Sequence, residues 1–238
     1  VGGSEKINNG GIKMIKAVFF DMNETLLNLS VLKEHFDKHF EDSYALKYWF
    51  VKLLHTSTVT GVMNEYKNFG ELAALVLESL FYENGKTLTS ETKNEILGSF
   101  RKMPPYSDVA DALKLLNQNN IRTVAVSNSS LEMIKEQLTN AGIIDLFHAY
   151  YSVDAVQKYK PFKEIYEYAA REENIPTENV VMVASHDWDL FGAKNAGLKT
   201  AYIERKKELF NPYYFPADIY KTDLVELVRE IITRSSSF

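Results

Sequence analysis

No cysteine occurs in this 238-residue chain, so it forms no disulfide and does no thiolate chemistry, which agrees with a reducing compartment. Basic residues are in the minority: 27 Lys and Arg face 32 Asp and Glu, a formal net charge of −5. They nowhere cluster densely enough to form a stripe for a phosphate backbone, which disfavours nucleic acid and favours small soluble substrates. No apolar run approaches the length of a membrane span, and the N-terminus lacks the hydrophobic region of a signal peptide. The expectation is a cytoplasmic protein with no membrane partner. What is present is a hydrophobic content of 45%, enough to bury a substantial core with room for one domain carrying a large insertion, or two small domains. Residues 1–12, rich in Gly and Asn and without an apolar period, read as a flexible tail or cloning remnant, with structure starting near Ile12. The Ser235–Ser237 tail carries no signal.

Asp21 is the most informative residue. It ends the hydrophobic run Ala17-Val18-Phe19-Phe20 and is followed by Met22-Asn23-Glu24-Thr25-Leu26-Leu27, so a buried strand delivers a carboxylate into a loop. In open α/β sheets ligands bind beyond the carboxyl ends of the strands, which makes Asp21 a candidate nucleophile. Taken alone it reads better as an Asp opening a turn. The rest of the chain changes that balance.

Residues from about Leu29 to Arg101 contain helical patterns and no convincing strand, with Leu72, Leu75, Val76, Ser79 and Leu80 on one face. This block reads as an all-helical insertion. Pro104-Pro105 marks the return to the sheet. Val109, Ala112, Leu113 and Leu116 then make a helix stripe, Thr123–Val126 a strand, and Leu131, Ile134 and Leu138 a second stripe begun by a Ser129-x-x-Glu132 capping box. Tyr150–Val153 reads as a strand, Phe162–Arg171 as a helix with Pro161 in its first turn, and Val180–Ala184 as a strand. Ala193–Ala196 continues a short helix closed by Gly197, Thr200–Ile203 is a strand, and Leu224, Leu227, Val228 and Ile231 form a terminal stripe. Alternating strands and helices imply a parallel α/β sheet with right-handed crossovers.

Four polar clusters then fall at strand ends: Asp21 and Thr25; Ser127-Asn128; Lys158-Tyr159-Lys160-Pro161; and Ser185-His186-Asp187-Trp188-Asp189. All would meet at one edge of the sheet. This order resembles the haloacid dehalogenase superfamily from about Lys13 onward. Within it, Ser152-Val153-Asp154-Ala155-Val156-Gln157 before Lys160-Pro161 and the segment Ala184 to Asp189 are most similar to the type II (L-)2-haloacid dehalogenases. The resemblance implies a Rossmann-like core over 13–27 and 104–238, a helical cap over 28–103, and a homodimer.

It also implies the chemistry. Phosphatases of the superfamily carry a second Asp two residues after the nucleophile, because an alkoxide leaving group needs a proton. Here that position is Asn23, which cannot supply one, whereas halide departs without one. Phosphatases also hold Mg²⁺ between two acids four apart; counting back from Asp189, the partner position is Ser185. No metal or other cofactor is expected; Asp187 could in principle rescue a metal site but reads rather as a solvated or structural acid. The expected reaction is hydrolytic dehalogenation of a small halogenated carboxylic acid, an L-2-haloalkanoate, with inversion, through an Asp21 ester. The rivals are a Mg²⁺-dependent phosphatase and a non-catalytic binding module.

By the same resemblance Thr25 orients Asp21, Ser127 and Asn128 bind the substrate carboxylate at a helix start, and Lys160 keeps Asp21 ionised and steers an anionic substrate. Lys158 is read as solvent-facing. Tyr166 joins the carboxylate network, and Phe69, Trp188 and Trp49 wall the pocket. Alone, each of these has a plainer reading: a loop-capping hydroxyl, an N-cap or core aromatics. Two departures stand out. The related enzymes place Asn where this chain has His186 and Gly where it has Glu24, which suggests a His186–Glu24 dyad that activates water, with Asp189 as a further water-activating or Lys160-pairing acid. The family's halide-binding Arg, some eight residues before the cap tryptophan, is missing from Glu41-Asp42-Ser43 before Trp49, leaving His186, Asn23 or ring edges for that role.

Overall fold

The computed structural model describes residues 14–236, so the expected tail over 1–12 and the end of the Ser235–Ser237 stretch lie outside the described residues. Strand β1 (Ala17–Phe20) is buried at every position, as a strand covered on both faces must be. After it the chain forms helices α1 (Lys33–Asp37), α2 (Ala45–Val62), α3 (Phe69–Glu83) and α4 (Ser90–Phe100) before returning to the sheet layer. There α5 (Val109–Gln118), β2 (Arg122–Ser127), α6 (Leu131–Asn140), β3 (Ala149–Ser152), α7 (Lys163–Glu172), β4 (Val180–Ala184), α8 (Asp187–Asn195) and β5 (Lys199–Ile203) alternate. Strand β6 (Ile219–Lys221) and helix α9 (Leu224–Ser236) complete the described elements.

The sheet has the order β3-β2-β1-β4-β5-β6 and every pairing is parallel. Ala17 pairs with Arg122 on one side and Val180 on the other, so β1 lies at the centre. Strand order reverses between β1 and β4. That switch point opens a crevice at the carboxyl edge, and Asp21, Ser127 and Ser185 all stand on it.

The helices between β1 and α5 bury a cluster of aromatics that is continuous with the rest of the hydrophobic core. Trp49 is fully buried, donates Nε1 to the Ala73 carbonyl at 3.1 Å, and packs on Phe36, Phe50 and Phe100. The helical content expected over 29–101 is therefore present, but Leu75 faces solvent, because the buried stripe runs through Leu72, Ala73, Val76, Leu77 and Leu80.

Other departures from the sequence reading have local causes. Ser130, not Ser129, caps α6, its side chain accepting from the Met133 N–H, and Leu131 is consequently exposed. Pro161 lies before the N-cap Phe162 rather than inside α7. The short helix continued by Ala193–Ala196 starts at Asp187, so Trp188 and Asp189 sit in the first turn of α8. Strand β6 was not anticipated: three residues alternating in burial leave too short a pattern to read.

Candidate active site

The turn after β1 builds the first part of the site. Leu26 and Leu27 N–H groups both donate to the Met22 carbonyl at 2.9 Å, and Glu24 adopts a left-handed backbone with φ 63°, which folds the loop back over its own start. Thr25 thereby reaches Asp21, donating its hydroxyl to Oδ2 at 2.8 Å. Thr25 Oγ1 in turn accepts the Ser185 N–H at 2.9 Å, and Ser185 Oγ donates to the Glu24 carbonyl at 3.0 Å. The ends of β1 and β4 are thus stitched together around the nucleophile.

Lys160 supplies the charge. Its Nζ is 2.9 Å from Asp21 Oδ1 and 2.8 Å from Asp189 Oδ2, and the residue is 1% exposed. Its backbone N–H donates to Asn128 Oδ1 at 2.8 Å, so the side chain of Asn128 holds the lysine loop in place. Helix α8 must approach this loop closely: a Cβ at Gly192 would collide with the Pro161 carbonyl oxygen and Cβ. Asp189 is completely buried and accepts the Tyr166 hydroxyl on its other oxygen. Of the two readings of Asp189, this geometry is that of the Lys160-pairing acid, since both its oxygens are engaged away from solvent.

The electrostatics follow from the geometry. Burial alone would push the Asp21 carboxyl up, but the Lys160 ammonium, with His186 beside it, holds it well below the usual carboxylate range. Burial would likewise lower the Lys160 ammonium, yet Asp189 and Asp21 raise it above its ordinary value. Asp189 is raised by its burial, against the pull of Lys160, and Asp21 adds to the rise. The Tyr166 hydroxyl is pushed far above its ordinary value by burial and by Asp189, so it stays protonated and donates.

His186 and Glu24 do meet. His186 Nε2 lies 3.0 Å from Glu24 Oε2, while Nδ1 lies 3.2 Å from Asp21 Oδ2. Trp188 stacks on the imidazole with ring centroids 5.3 Å apart, and Phe50 approaches it at 6.2 Å. A small cavity of about 10 Å³ in front of Asp21 is lined by Asn23, Phe50, Leu54, Phe69, Ser127, Asn128, His186 and Trp188. Phe50, Leu54, His186 and Trp188 also border a larger cavity of about 700 Å³, which runs between α2 and the loop after β5.

Several expected site residues sit elsewhere. Trp49 borders neither cavity, because its indole is consumed by the core among the inserted helices. Tyr166 donates into the carboxylate network at Asp189, as expected, but from behind Lys160 rather than facing substrate space. Lys158 is half-buried and reaches the Gly61 carbonyl and Asn64, so it bridges α2 to the sheet layer instead of facing water. Asp187 is a structural acid, as the sequence suggested: in the first turn of α8 it accepts the Trp188 N–H at 2.7 Å and the Asn211 N–H at 2.9 Å.

Several contributors were not read from the sequence, Phe50 and Leu54 at the cavity in front of Asp21 among them. Lys206 contacts Glu24, and Arg205 donates to the Thr25 carbonyl at 3.0 Å while forking onto Asp108. Both lie in Glu204-Arg205-Lys206-Lys207-Glu208, which looks like an ordinary solvated charge run; its place just past β5 is the only hint. Buried Gln137 donates to the Phe100 carbonyl and stands 3.5 Å from Asn23 Oδ1.

A divalent ion does not fit this donor set. The Lys160 ammonium already occupies the space between the two carboxylates, and the Ser185 hydroxyl is spent on a backbone carbonyl. Among the described residues no group of three or more His, Cys, Asp or Glu is arranged to hold a metal.

Fold and strand-end geometry define a parallel, doubly wound α/β protein with a buried carboxylate at the switch point. The chain belongs to the haloacid dehalogenase-like hydrolases, whose family model matches residues 15–197. It is 29% identical over 200 residues to an (S)-2-haloacid dehalogenase of Pseudomonas sp. (strain YL), covering 82% of this chain and 85% of that protein. It is 28% identical over 198 residues to haloacetate dehalogenase H-2 of Moraxella sp. (strain B), covering 82% and 88%. Its fold matches L-2-haloacid dehalogenase from Xanthobacter autotrophicus with chloropropionic acid covalently bound, at a TM-score of 0.86 and 23% identity, over 92% of this chain and 98% of that one.

Proposed function

We propose that this hydrolase converts L-2-haloalkanoic acids to 2-hydroxy acids with inversion, through an ester on Asp21. The observation that carries this reading is the pairing of an ionised, lysine-bound Asp21 with Asn23 where a proton donor would have to stand. Such a site suits a leaving group that needs no proton. The names of the similar dehalogenases agree with it.

In the first step an Asp21 oxygen attacks the α-carbon from behind and the halide leaves with the bonding electrons. Lys160 and Thr25 hold the carboxylate, Ser127 and the backbone N–H groups at the start of α6 receive the substrate carboxylate, and Phe69, Trp188 and Phe50 keep the α-carbon dry. Asn23, which lines the cavity in front of Asp21, is an amide donor for the departing halide, with the pocket's ring edges beside it. In the second step water attacks Asp21 Cγ and gives its proton to His186, whose imidazolium Glu24 stabilises. The ester C–O bond then breaks and the alkoxide takes the proton, leaving one water oxygen in Asp21.

The helices over 28–103 serve as a cap that closes this site. Their exposed Tyr48, Val51, Val62 and Leu75 support a homodimer, and the absence of cysteine suits the cytoplasm. The test is halide release from each enantiomer of 2-bromopropionate with product chirality recorded. The expected result is D-lactate from the L substrate; retention of configuration, or no halide from either enantiomer, overturns the reading.

A further inference from the structure

Glu24 uses both carboxylate oxygens: Oε2 faces His186, and Oε1 receives the Lys206 ammonium. All three residues border the large cavity. Glu24 has little freedom, since its N–H donates to the Leu27 carbonyl at 2.8 Å and its carbonyl accepts from Ser185. The Lys206 side chain is 47% exposed while that of Glu24 is 11% exposed. A lysine so exposed adds little to stability by pairing, so its contact with the carboxylate that serves His186 calls for another purpose.

We propose that Lys206 is a positioning residue for the hydrolytic step: its ammonium fixes the Glu24 carboxylate toward His186 and offsets its charge, so that the imidazolium formed there releases its proton. The proposal rests on the assignment of His186 to ester hydrolysis. In that step the water oxygen bonds to Asp21 Cγ, the water proton passes to His186, and the same proton goes to the alkoxide as the ester bond breaks. No outside reactant is needed. Without Lys206 the full charge of Glu24 would hold the imidazolium and slow the last transfer.

The surroundings of His186 leave this role to Lys206. Asp21, already bound by Lys160, faces Nδ1; Glu24 faces Nε2; and the rings of Phe50 from α2 and Trp188 from α8 are uncharged. The charge of Glu208 also acts on Lys206, but Glu208 is itself paired with Lys47 of α2 at 3.2 Å.

The experiment compares wild type, Lys206→Met and Lys206→Arg. In Lys206→Met the acid limb of the single-turnover rate of ester hydrolysis should move up by about 1 pH unit, with KM nearly unchanged, and Lys206→Arg should restore it. The His186 ring titration, followed by NMR in substrate-free protein and assigned with His186→Asn, should move the same way. An unmoved ring titration overturns the proposal. So does a raised KM that depends on ionic strength while the acid limb stays in place, because Lys206 would then only steer the substrate. Absent halide release together with a moved titration would instead overturn the dehalogenase reading and leave the coupling of Lys206 to His186 standing.

Discussion

Replacing Lys160 by Met exposes the electrostatics of the site. The ammonium is 1% exposed and lies between Asp21 and Asp189, so its removal leaves two buried carboxylates facing each other. Breaking a buried pair in this way costs about 3–5 kcal/mol. The cost should depend on pH. In the wild type Asp21 is depressed, so the stability it contributes is present above the unfolded carboxyl value and lost only as pH falls through the lower folded one. In Lys160→Met the cation is gone, while burial and mutual repulsion remain and raise the folded value. The destabilisation is then full at alkaline pH and is relieved as pH falls through that raised value, by about 1.4 kcal/mol per unit. Urea unfolding of both proteins at pH 8 and pH 5 measures this: the gap between them should be about 3–5 kcal/mol at pH 8 and clearly smaller at pH 5. Halide release at pH 8 should fall by at least about 100-fold. A gap equal at the two pH values, or one below about 1 kcal/mol, would refute the reasoning.

His186→Asn should slow ester hydrolysis by on the order of 10²–10⁴ more than alkylation, so an Asp21 adduct should accumulate in the intact-mass spectrum; loss of activity without adduct would assign His186 to binding or halide departure. Gly192→Ala should drive α8 away from Pro161, lowering stability by about 1–3 kcal/mol in thermal unfolding and reducing kcat through the displaced Lys160. Halide release should survive exhaustive chelation with EDTA, because Lys160 occupies the space a divalent ion would need; activity lost to EDTA and restored by Mg²⁺ would favour the phosphatase chemistry.

The sheet was legible because its strands are short, continuous apolar runs ended by polar clusters, and their common edge follows from parallel topology alone. Asp21 could be named for that reason, whereas the roles of Thr25 and Lys160 came from the resemblance to the haloacid dehalogenases and that of His186 from a departure from it. Trp49 could not be separated from a pocket wall, since an aromatic on a helix reads the same whether it faces a cavity or a core. The place of Asp189 between Lys160 and Tyr166 depends on α8 starting at Asp187, a boundary that periodicity does not define sharply. Lys206 was hidden for a different reason. Its role comes from a loop folding back onto the β1 turn, and a charge run carries no signal of what it will meet.

The covalent ester on Asp21 is the central claim, and single turnover with excess enzyme in heavy-oxygen water tests it most directly. The account predicts that the label enters the Asp21 peptide first, while the first-turnover hydroxy acid carries unlabelled oxygen drawn from the carboxylate. Label found directly in that first product, with none in Asp21, would contradict it.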